Sequence, residues 1–483
     1  MDQNKLPLYE ALLEYRNKNT HSFHVPGHKN GSVLPIQAQH IYQSVLSIDV
    51  TELTGLDDLH HASGVIKEAE DLAADLYGSK SCFFLVGGST VGNLAMIMAT
   101  CEEGDTVLVQ RNSHKSIING LKLAKVNPIF IEPNYDDHAQ IATCLDESLV
   151  IDTLKKYKNA KALIMTRPNY YGYTSSIKKI VEVAHKLNVV VLVDEAHGAH
   201  FGHHTSMLPN SAIDYHADIV VQSAHKTLPA MTMSSYLHYN SKLVDINKLK
   251  YYLQLFQSSS PSYPLMASLD LARFYLAKLP EVDLAMTLKL IGDFKKVLNE
   301  IPQLKVVESA EYKIDPLKVT IQSRCQLTGF ELQKLLETEG IYTELADQCN
   351  VLFVLPLTIN TDLISVAKNI KDKLKGKKVN VNRMKIFNKF ESKVSSLDLT
   401  YAEMEQMDIE VVPLEKALGK VISEDIIPYP PGIPLLISGE KIEKAHLERL
   451  FALKKAGAYF QGKDVFTYGL KVYKTDETRD SYE

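Results

Sequence analysis

Between residues 79 and 237, short β-branched runs alternate with amphipathic helical stretches, and this alternation constrains the fold more than any other feature of the sequence. A run of that kind, bounded by turn residues, predicts a strand, and a helix between two such strands predicts a βαβ unit. Successive βαβ units build a parallel sheet that is covered by helices on both faces. The sequence therefore predicts a doubly wound α/β domain with a mainly parallel sheet.

The individual elements of this domain follow from the same pattern. The predicted strands are residues 82–86, 106–109, 128–131, 162–166, 189–193 and 219–222. The predicted helices are residues 92–101, 115–122, 151–158 and 177–187.

Beyond this region the pattern changes. Residues 263–300 favour helix, while strands near 304–308 and 318–322 and a helix over 329–339 indicate a smaller α+β domain. The lysine-rich stretch 371–393 predicts a solvated connection to a C-terminal module. We therefore expect an N-terminal segment with the large domain in residues 1–275, the small α+β domain in residues 276–375 and the C-terminal domain in residues 376–483.

Composition narrows the possible functions. The chain has 53 Lys and Arg against 58 Asp and Glu, so its formal charge of −5 favours neither nucleic acid nor an anionic membrane. Its five cysteines are widely spaced without a C-x-x-C pair, which predicts neither a disulfide framework nor a thiolate zinc site. Residues 1–16 predict an amphipathic helix rather than a secretory signal. We therefore expect a cytoplasmic protein without a nucleic-acid or membrane partner.

Two of the predicted strands end close to an acid and a lysine. Asp194 closes the apolar run 189–193, and Lys226 follows the strand 219–222. Because open α/β sheets bind ligands beyond the carboxyl ends of their strands, a carboxylate and an amine are predicted to face one crevice. A lysine can hold an aldehyde cofactor as an imine, and a carboxylate can keep a pyridine nitrogen protonated. This pair predicts a site for pyridoxal phosphate.

Pyridoxal phosphate also requires a phosphate cradle. Residues 87–93, Gly-Gly-Ser-Thr-Val-Gly-Asn, follow a predicted strand and open a helix, so they offer hydroxyls and the positive end of a helix dipole. Ser223 and His225 could add donors, and the imidazole of His114, just past another strand, could stack on the cofactor ring. Each feature alone is weak evidence for a pyridoxal-phosphate site. The prediction depends on their joint placement at successive strand ends.

Two other interpretations of the same segments fail or are weaker. Residues 194–197 spell the Asp-Glu-Ala-His tetrapeptide of helicases, but the sequence contains no G-x-x-x-x-G-K-[ST] phosphate loop. The histidines at positions 197, 200, 203 and 204 lack the H-E-x-x-H spacing of a helical zinc site. We predict no metal site.

The chain resembles the ornithine/lysine/arginine decarboxylases, a family of fold type I pyridoxal-phosphate enzymes, in their short form without an N-terminal wing domain. The likeness covers nearly the whole chain. The matching stretches are residues 24–31 (HVPGHKNG), 49–60 (DVTELTGLDDLH), 88–93 (GSTVGN), 111–116 (RNSHKS), 193–200 (VDEAHGAH), 223–229 (SAHKTLP), 260–270 (SPSYPLMASLD) and 427–434 (IPYPPGIP).

The resemblance implies a large cofactor domain, a small domain, a C-terminal domain and a homodimer with active sites at the subunit interface. It also implies a role in polyamine biosynthesis. It places Lys226 as the imine lysine, Asp194 on the pyridine nitrogen and His197 beside the ring oxygen. The remaining implied cofactor contacts are His114 on the ring and Gly88, Ser89, Thr90, Ser223 and His225 around the phosphate, with Ser259 and Ser260 reaching the phosphate of a neighbouring subunit.

The implied reaction is decarboxylation of lysine, arginine or ornithine, with Lys226 or His225 returning a proton to Cα. The lysine and aspartate alone also suit an aminotransferase, another lyase or a catalytically idle regulatory homologue. Arg324 is a formal candidate for the carboxylate clamp of an aminotransferase, although a surface role suits it better. The acids that could bind a basic substrate tail are Asp49, Glu52, Glu344 and Asp347, each of which suits a solvated or capping role equally well.

Overall fold

The computed structural model describes residues 1–18, 20–380, 392–429 and 432–474. Its helices are α1 (Pro7–Asn17), α2 (Gln39–Leu46), α3 (Val65–Tyr77), α4 (Gly88–Thr100), α5 (Lys115–Leu123), α6 (Glu147–Lys156), α7 (Lys178–Lys186), α8 (Ala224–Thr227), α9 (Ile246–Phe256), α10 (Tyr263–Lys278), α11 (Glu281–Asn299), α12 (Gly329–Glu337), α13 (Leu363–Leu374), α14 (Tyr401–Met404), α15 (Lys444–Ala456) and α16 (Val465–Tyr468).

The strands, in chain order, are β1 (Ser81–Leu85), β2 (Thr106–Gln110), β3 (Asn127–Ile131), β4 (Tyr135–Asp136), β5 (Ile141–Ala142), β6 (Ala162–Thr166), β7 (Tyr173–Thr174), β8 (Val190–Asp194), β9 (Ile219–Gln222), β10 (Ser235–Tyr239), β11 (Leu304–Val306), β12 (Lys313–Ile314), β13 (Lys318–Ser323), β14 (Leu345–Ala346), β15 (Asn350–Val354), β16 (Val394–Ser396), β17 (Ile409–Val412), β18 (Pro428–Tyr429), β19 (Tyr459–Phe460) and β20 (Leu470–Tyr473).

The chain divides into two compact units. The first unit comprises residues 1–100 and 176–285, and the second comprises residues 101–175 and 286–483. In the first unit the strand order is β1, β10, β9, β8, with β8 and β9 parallel and the other pairs antiparallel. Every residue of β8 is buried, because this strand is apolar on both faces up to its final aspartate.

In the first unit a buried ion pair on α10 holds helix α1. Asp270 and Arg273 lie one turn apart with 2.6 Å between Oδ1 and Nη2, and both side chains are fully buried. Asp270 also accepts the amide hydrogen of Leu8 at 3.2 Å, which satisfies one of the unpaired donors at the start of α1. Arg273 donates to the carbonyl oxygens of Gln3 and Lys5.

The second unit contains parallel strands β6, β2 and β3, with β16 antiparallel to β3. A separate antiparallel sheet has the order β11, β13, β15, β14, and helix α12 packs on it. The C-terminal part has its own apolar core, which includes Ile422, Leu436, Leu450 and Val472. The lysine-rich stretch 371–393 is only partly a connection, because α13 continues to Leu374; residues 381–391 lie outside the described residues.

The α/β fold class predicted from the sequence is confirmed. Every strand predicted between residues 79 and 237 is present within about one residue, but β10 was missed and pairs antiparallel with both neighbours. The helix predicted from residue 92 begins at Gly88, and the helical stretch 263–300 is interrupted at Pro280.

No helix of the described part of the chain is long and apolar enough to cross a membrane.

Candidate functional site

Asp194 lies at the carboxyl end of β8 and is 3% exposed. Its Oδ2 accepts a hydrogen bond from Asn93 Nδ2 at 3.0 Å, and its Oδ1 accepts from the amide of Ala196 at 3.1 Å. Hydrogen bonds of this kind orient a buried carboxylate. The carboxylate is therefore held in one orientation at the strand end, as a partner for a protonated ring nitrogen requires.

Lys226 lies on α8, the short helix that directly follows β9. Its Nζ is 3.1 Å from Nε2 of His197, which follows β8. The amide of Ser223 donates to the carbonyl oxygen of Ala196 at 3.2 Å, so the two strand-end loops are tied together. The structure thus brings together the lysine, the histidine and the edge of the sheet at which Asp194 lies.

A cluster of hydroxyl groups lies at the start of α4. Ser89 Oγ is 2.7 Å from Ser223 Oγ and 3.3 Å from Ser235 Oγ. Gly88 has a φ of +73°, a conformation that favours glycine, and its amide donates to the Met233 carbonyl oxygen at 2.8 Å. This arrangement presents hydroxyls beside the N-terminus of a 13-residue helix, where the dipole favours an anion.

The other residues predicted around the phosphate are His225, Thr90, Ser259 and Ser260. His225 Nδ1 is 3.0 Å from the carbonyl oxygen of Ser234, so this nitrogen carries the proton in the neutral ring. Thr90 is exposed at the start of α4. Ser259 and Ser260 are also exposed, in the turn before α10.

Glu195, which directly follows Asp194, is buried in a different network. Its carboxylate accepts from Ser211 Oγ at 2.6 Å, from the Ala212 amide at 2.8 Å and from Gln222 Nε2 at 2.7 Å. These bonds join the end of β8 to the end of β9 beneath the site. Glu195 is therefore a positioning residue for the two strands.

The residues present in the first unit fit a pyridoxal phosphate. Asp194 offers a fixed carboxylate, Lys226 an amine beside a histidine, and Ser89 and Ser223 offer hydroxyls at a helix N-terminus. A Cβ on Gly88 would have the Met233 backbone 4.0 Å away, and the positive φ would strain any other residue there. These groups match the three parts of the cofactor, which are the ring nitrogen, the aldehyde and the phosphate.

His114 belongs to the second unit. It caps α5, with its Nδ1 accepting from the Ser116 amide at 3.2 Å. A Cβ on Gly432 would lie 3.8 Å from the His114 ring, an ordinary contact distance, so residue 432 lies beside this ring. Nearby, Arg111 pairs with Glu440 and donates to the carbonyl oxygens of Pro434 and Leu435. These bonds fix the turn that carries His114.

The four acids predicted for substrate differ in their surroundings. Asp49 Oδ2 is 3.1 Å from His28 Nε2, and Glu52 is exposed and accepts from its neighbour Thr51. In the second unit, Glu344 is exposed. Asp347 accepts from the amides of residues 349 and 350, from the Asn350 side chain and from Tyr171 Oη at 2.5 Å, so its oxygens are occupied by the protein.

The sequence did not assign a role to Asn93 or Ser235, although both contact predicted site residues. A helix start at Gly88 would have revealed Asn93, because Ser89 and Asn93 are then one turn apart on the same buried face. Ser235 begins β10, the strand that was missed.

Two of the histidines that follow β8, His203 and His204, have different hydrogen-bond partners. His203 Nε2 is 2.8 Å from the Leu279 carbonyl oxygen, and the hydrogen bond with Asp214 raises the pKa of His204. Within the described ranges, no group of three or more His, Cys, Asp or Glu side chains is arranged to hold a metal ion.

The fold is shared with solved lysine decarboxylases and with a serine palmitoyltransferase of Sphingomonas wittichii, to which this chain is similar in structure at 17–20% identity. The family model described as the major domain of Orn/Lys/Arg decarboxylases matches residues 6–311, and the C-terminal domain of that family matches residues 381–482. The chain belongs to the Orn/Lys/Arg decarboxylase family, as the sequence motifs predicted.

Individual relatives agree with this assignment. The chain is 45% identical to the uncharacterized protein YaaO of Bacillus subtilis over 94% of this chain and 96% of that protein. It is 35% identical to an arginine decarboxylase of the same organism over 96% of each. The solved structure of the constitutive lysine decarboxylase of E. coli matches with a TM-score of 0.80 at 19% identity, over 98% of this chain and 82% of that chain.

Proposed function

We propose that this chain uses pyridoxal phosphate, held by Lys226, to decarboxylate a basic amino acid, with arginine as the first substrate to test. The single observation that supports this most is the contact of 3.1 Å between Lys226 and His197 at the sheet edge that also presents Asp194. Arginine comes first because arginine decarboxylases of Bacillus species are 33–35% identical over nearly the whole chain.

The cofactor, when bound, supplies an aromatic ring that accepts the electron pair left when carbon dioxide departs. Asp194 would hold a proton on the ring nitrogen, which would keep the ring electron-poor. Lys226 would hold the cofactor through its Nζ, and Lys226 or His225 would return a proton to Cα. Ser89 and Ser223 would bind the phosphate, and His114 would lie against the ring.

An aminotransferase is the alternative within the same fold, because it needs the same lysine and aspartate. Release of carbon dioxide distinguishes the two reactions. A yellow protein that releases carbon dioxide from no basic amino acid would refute the decarboxylase proposal and favour an aminotransferase, another lyase or an idle homologue.

Replacement of Lys226 tests the assignment of the cofactor lysine. Lys226→Ala should lose the near-visible absorption band of the holoenzyme and lower turnover by about 10³-fold or more, because the amine that holds the cofactor is gone. The measurements are an absorption spectrum and carbon dioxide release from arginine, lysine and ornithine. Lys242→Ala, at an exposed lysine of the same unit, is the control and should keep both. A normal band and turnover in Lys226→Ala would refute the assignment.

We further propose that the enzyme is a cytoplasmic homodimer with its active sites at the subunit interface and a role in polyamine biosynthesis, as the family resemblance implies. The domain limits at about residues 275 and 375 remain predictions. So do the contacts of Ser259 and Ser260 with a neighbouring subunit and the substrate roles of Asp49, Glu52, Glu344 and Asp347.

A further inference from the structure

Asn93 lies on the buried face of α4 and is 1% exposed. Its Nδ2 donates a hydrogen bond to Oδ2 of Asp194 at 3.0 Å, although the two residues are 101 positions apart in the chain. The oxygens of a carboxylate accept hydrogen bonds, so the amide nitrogen of Asn93 is the atom that faces the acid. This bond joins helix α4 to the carboxyl end of β8, and both belong to the first unit.

The two oxygens of Asp194 have donors of different origin. Oδ1 accepts from the amide of Ala196, two residues further along the same turn, at 3.1 Å. A local bond of this kind shapes the turn but does not fix the carboxylate relative to another element. In the described part of the chain, Asn93 is the one side chain that donates to Asp194. Without it, the carboxylate would keep only the local bond and could turn about the Cα–Cβ bond.

The residue before Asn93 lets α4 lie close to the sheet. A Cβ on Gly92 would lie 2.8 Å from Leu85 Cδ1 of β1 and 2.8 Å from Val221 Cγ1 of β9. Both distances are shorter than the separation of about 3.5–4.0 Å at which carbon atoms pack. The missing side chain therefore permits a close approach, and this approach brings the short side chain of Asn93 within hydrogen-bond distance of the strand end.

The same helix carries Ser89 one turn before Asn93. Ser89 Oγ is 2.7 Å from Ser223 Oγ in the hydroxyl cluster. Four residues span about 6 Å along a helix axis, and a helix holds this spacing rigidly. Helix α4 therefore contacts two groups with proposed roles, the hydroxyl of Ser223 for the phosphate and the carboxylate of Asp194 for the ring nitrogen.

We infer that Asn93 is a positioning residue, which holds Asp194 in the orientation that keeps the ring nitrogen of bound pyridoxal phosphate protonated. This inference rests on the proposed function, which assigns Asp194 to that nitrogen. A carboxylate that turned away would hold the ring proton less firmly, and the ring would accept electrons less readily. Asn93 thus acts on the cofactor through Asp194, as the outer partners of a ligand-binding group commonly do.

Asn93→Leu tests this role, because leucine has a similar branched shape and no hydrogen-bond donor. The holoenzyme is prepared with ¹⁵N-labelled pyridoxal phosphate, and solid-state NMR reports whether the ring nitrogen is protonated. The pH at which this nitrogen loses its proton should fall by about one unit or more in the variant, because a hydrogen bond to a carboxylate is lost. Asn93→Gln, which keeps the amide, should recover part of the difference.

Cofactor affinity and turnover give two further measurements. Titration of the apoprotein with pyridoxal phosphate should show a dissociation constant about 10-fold higher in Asn93→Leu. With arginine, kcat should fall about 10-fold while KM changes little, because the ring nitrogen acts on the chemical step. Thr100→Val is the matched control. It removes a buried hydrogen bond of the same helix, from Thr100 Oγ1 to the Met96 carbonyl oxygen at 2.7 Å, and should leave all three measurements unchanged.

The natural chain separates failure of this inference from failure of the proposed function. If the natural chain binds no pyridoxal phosphate, or binds it with an unprotonated ring nitrogen, the proposed function fails and the inference fails with it. If the natural chain behaves as proposed, a folded Asn93→Leu with an unchanged ring nitrogen overturns the inference alone, and so does an equal effect of Thr100→Val. Asn93→Ser, whose hydroxyl is too short to reach Asp194, replaces Asn93→Leu if the leucine variant does not fold.

Discussion

At the residue scale, neighbouring acids in this protein have different roles because their hydrogen bonds differ. Asp194 has one oxygen on Asn93 and the other on a backbone amide, which leaves the carboxylate oriented at the strand end. Glu195 is enclosed by Ser211, Gln222 and a backbone amide. The sequence predicts that Asp194 is functional from its position after a buried strand, but it cannot predict which donors surround each acid, because those donors come from distant segments.

A third buried acid, Glu70, should make the stability of the protein depend on pH. Burial raises the pKa of Glu70 from 4.5 to about 8, although its Oε1 accepts from the Phe84 amide. Between these values the folded state holds a proton that the unfolded state has lost, so the free energy of unfolding falls as pH rises, by at most about 1.4 kcal/mol per pH unit.

Glu70→Gln resembles the protonated acid and keeps an oxygen for the Phe84 amide, so its stability relative to the natural chain should increase from pH 5 to pH 8. Urea unfolding at several pH values measures this difference. Glu14→Gln, at an exposed position, should track the natural chain at every pH. A constant difference between Glu70→Gln and the natural chain across this range would contradict the prediction.

At the element scale, the sequence predicts the strands that are apolar throughout and misses those that are not. Strand β8 is an unbroken aliphatic run, whereas β10 contains Ser235 and His238, whose partners are Ser89 and Gln222 on neighbouring elements. These polar residues interrupt the hydrophobic signal of Tyr236, Leu237 and Tyr239, and the tertiary contacts decide the conformation of the strand. The expectation of parallel strands holds for β2, β3, β6, β8 and β9 and does not extend to β1 and β10.

The attachment of α1 to α10 gives a second stability prediction. Arg273→Ala leaves Asp270 buried without its cation and removes the donors to Gln3 and Lys5, so the free energy of unfolding should fall by about 3–5 kcal/mol. Denaturant unfolding measures the loss. Arg16→Ala, at an exposed arginine of α1 itself, should change stability by less than about 0.5 kcal/mol. Equal effects of the two substitutions would show that the buried pair does not stabilise this attachment.

At the scale of the whole molecule, the family models agree with the sequence motifs over residues 6–311 and 381–482. This agreement was predictable, because the motifs are short, local and rich in residues with a chemical role. The composition excluded classes of function but could not give an oligomeric state, since that depends on a surface that fits a second copy of the chain.

The proposed homodimer predicts the mass of the particle in solution. Light scattering coupled to gel filtration should give about twice the chain mass of 54.1 kDa, or an even multiple of it if dimers associate further. The interface proposed to complete the active site implies that dilution to the monomer lowers carbon dioxide release. A fully active particle with the mass of one chain would refute the shared active site.

The discontinuous make-up of the first unit has a consequence for synthesis on the ribosome. Residues 1–100 leave the ribosome long before β10, with which β1 pairs along its whole length. Until residues 235–239 have been made, that edge of β1 lacks its native partner, and unpaired strand edges promote aggregation in nascent chains. The hydroxyl cluster also needs Ser223 and Ser235, and Ser223 alone is 134 residues beyond Ser89. The proposed cofactor site can therefore form only after the greater part of the first unit has been translated.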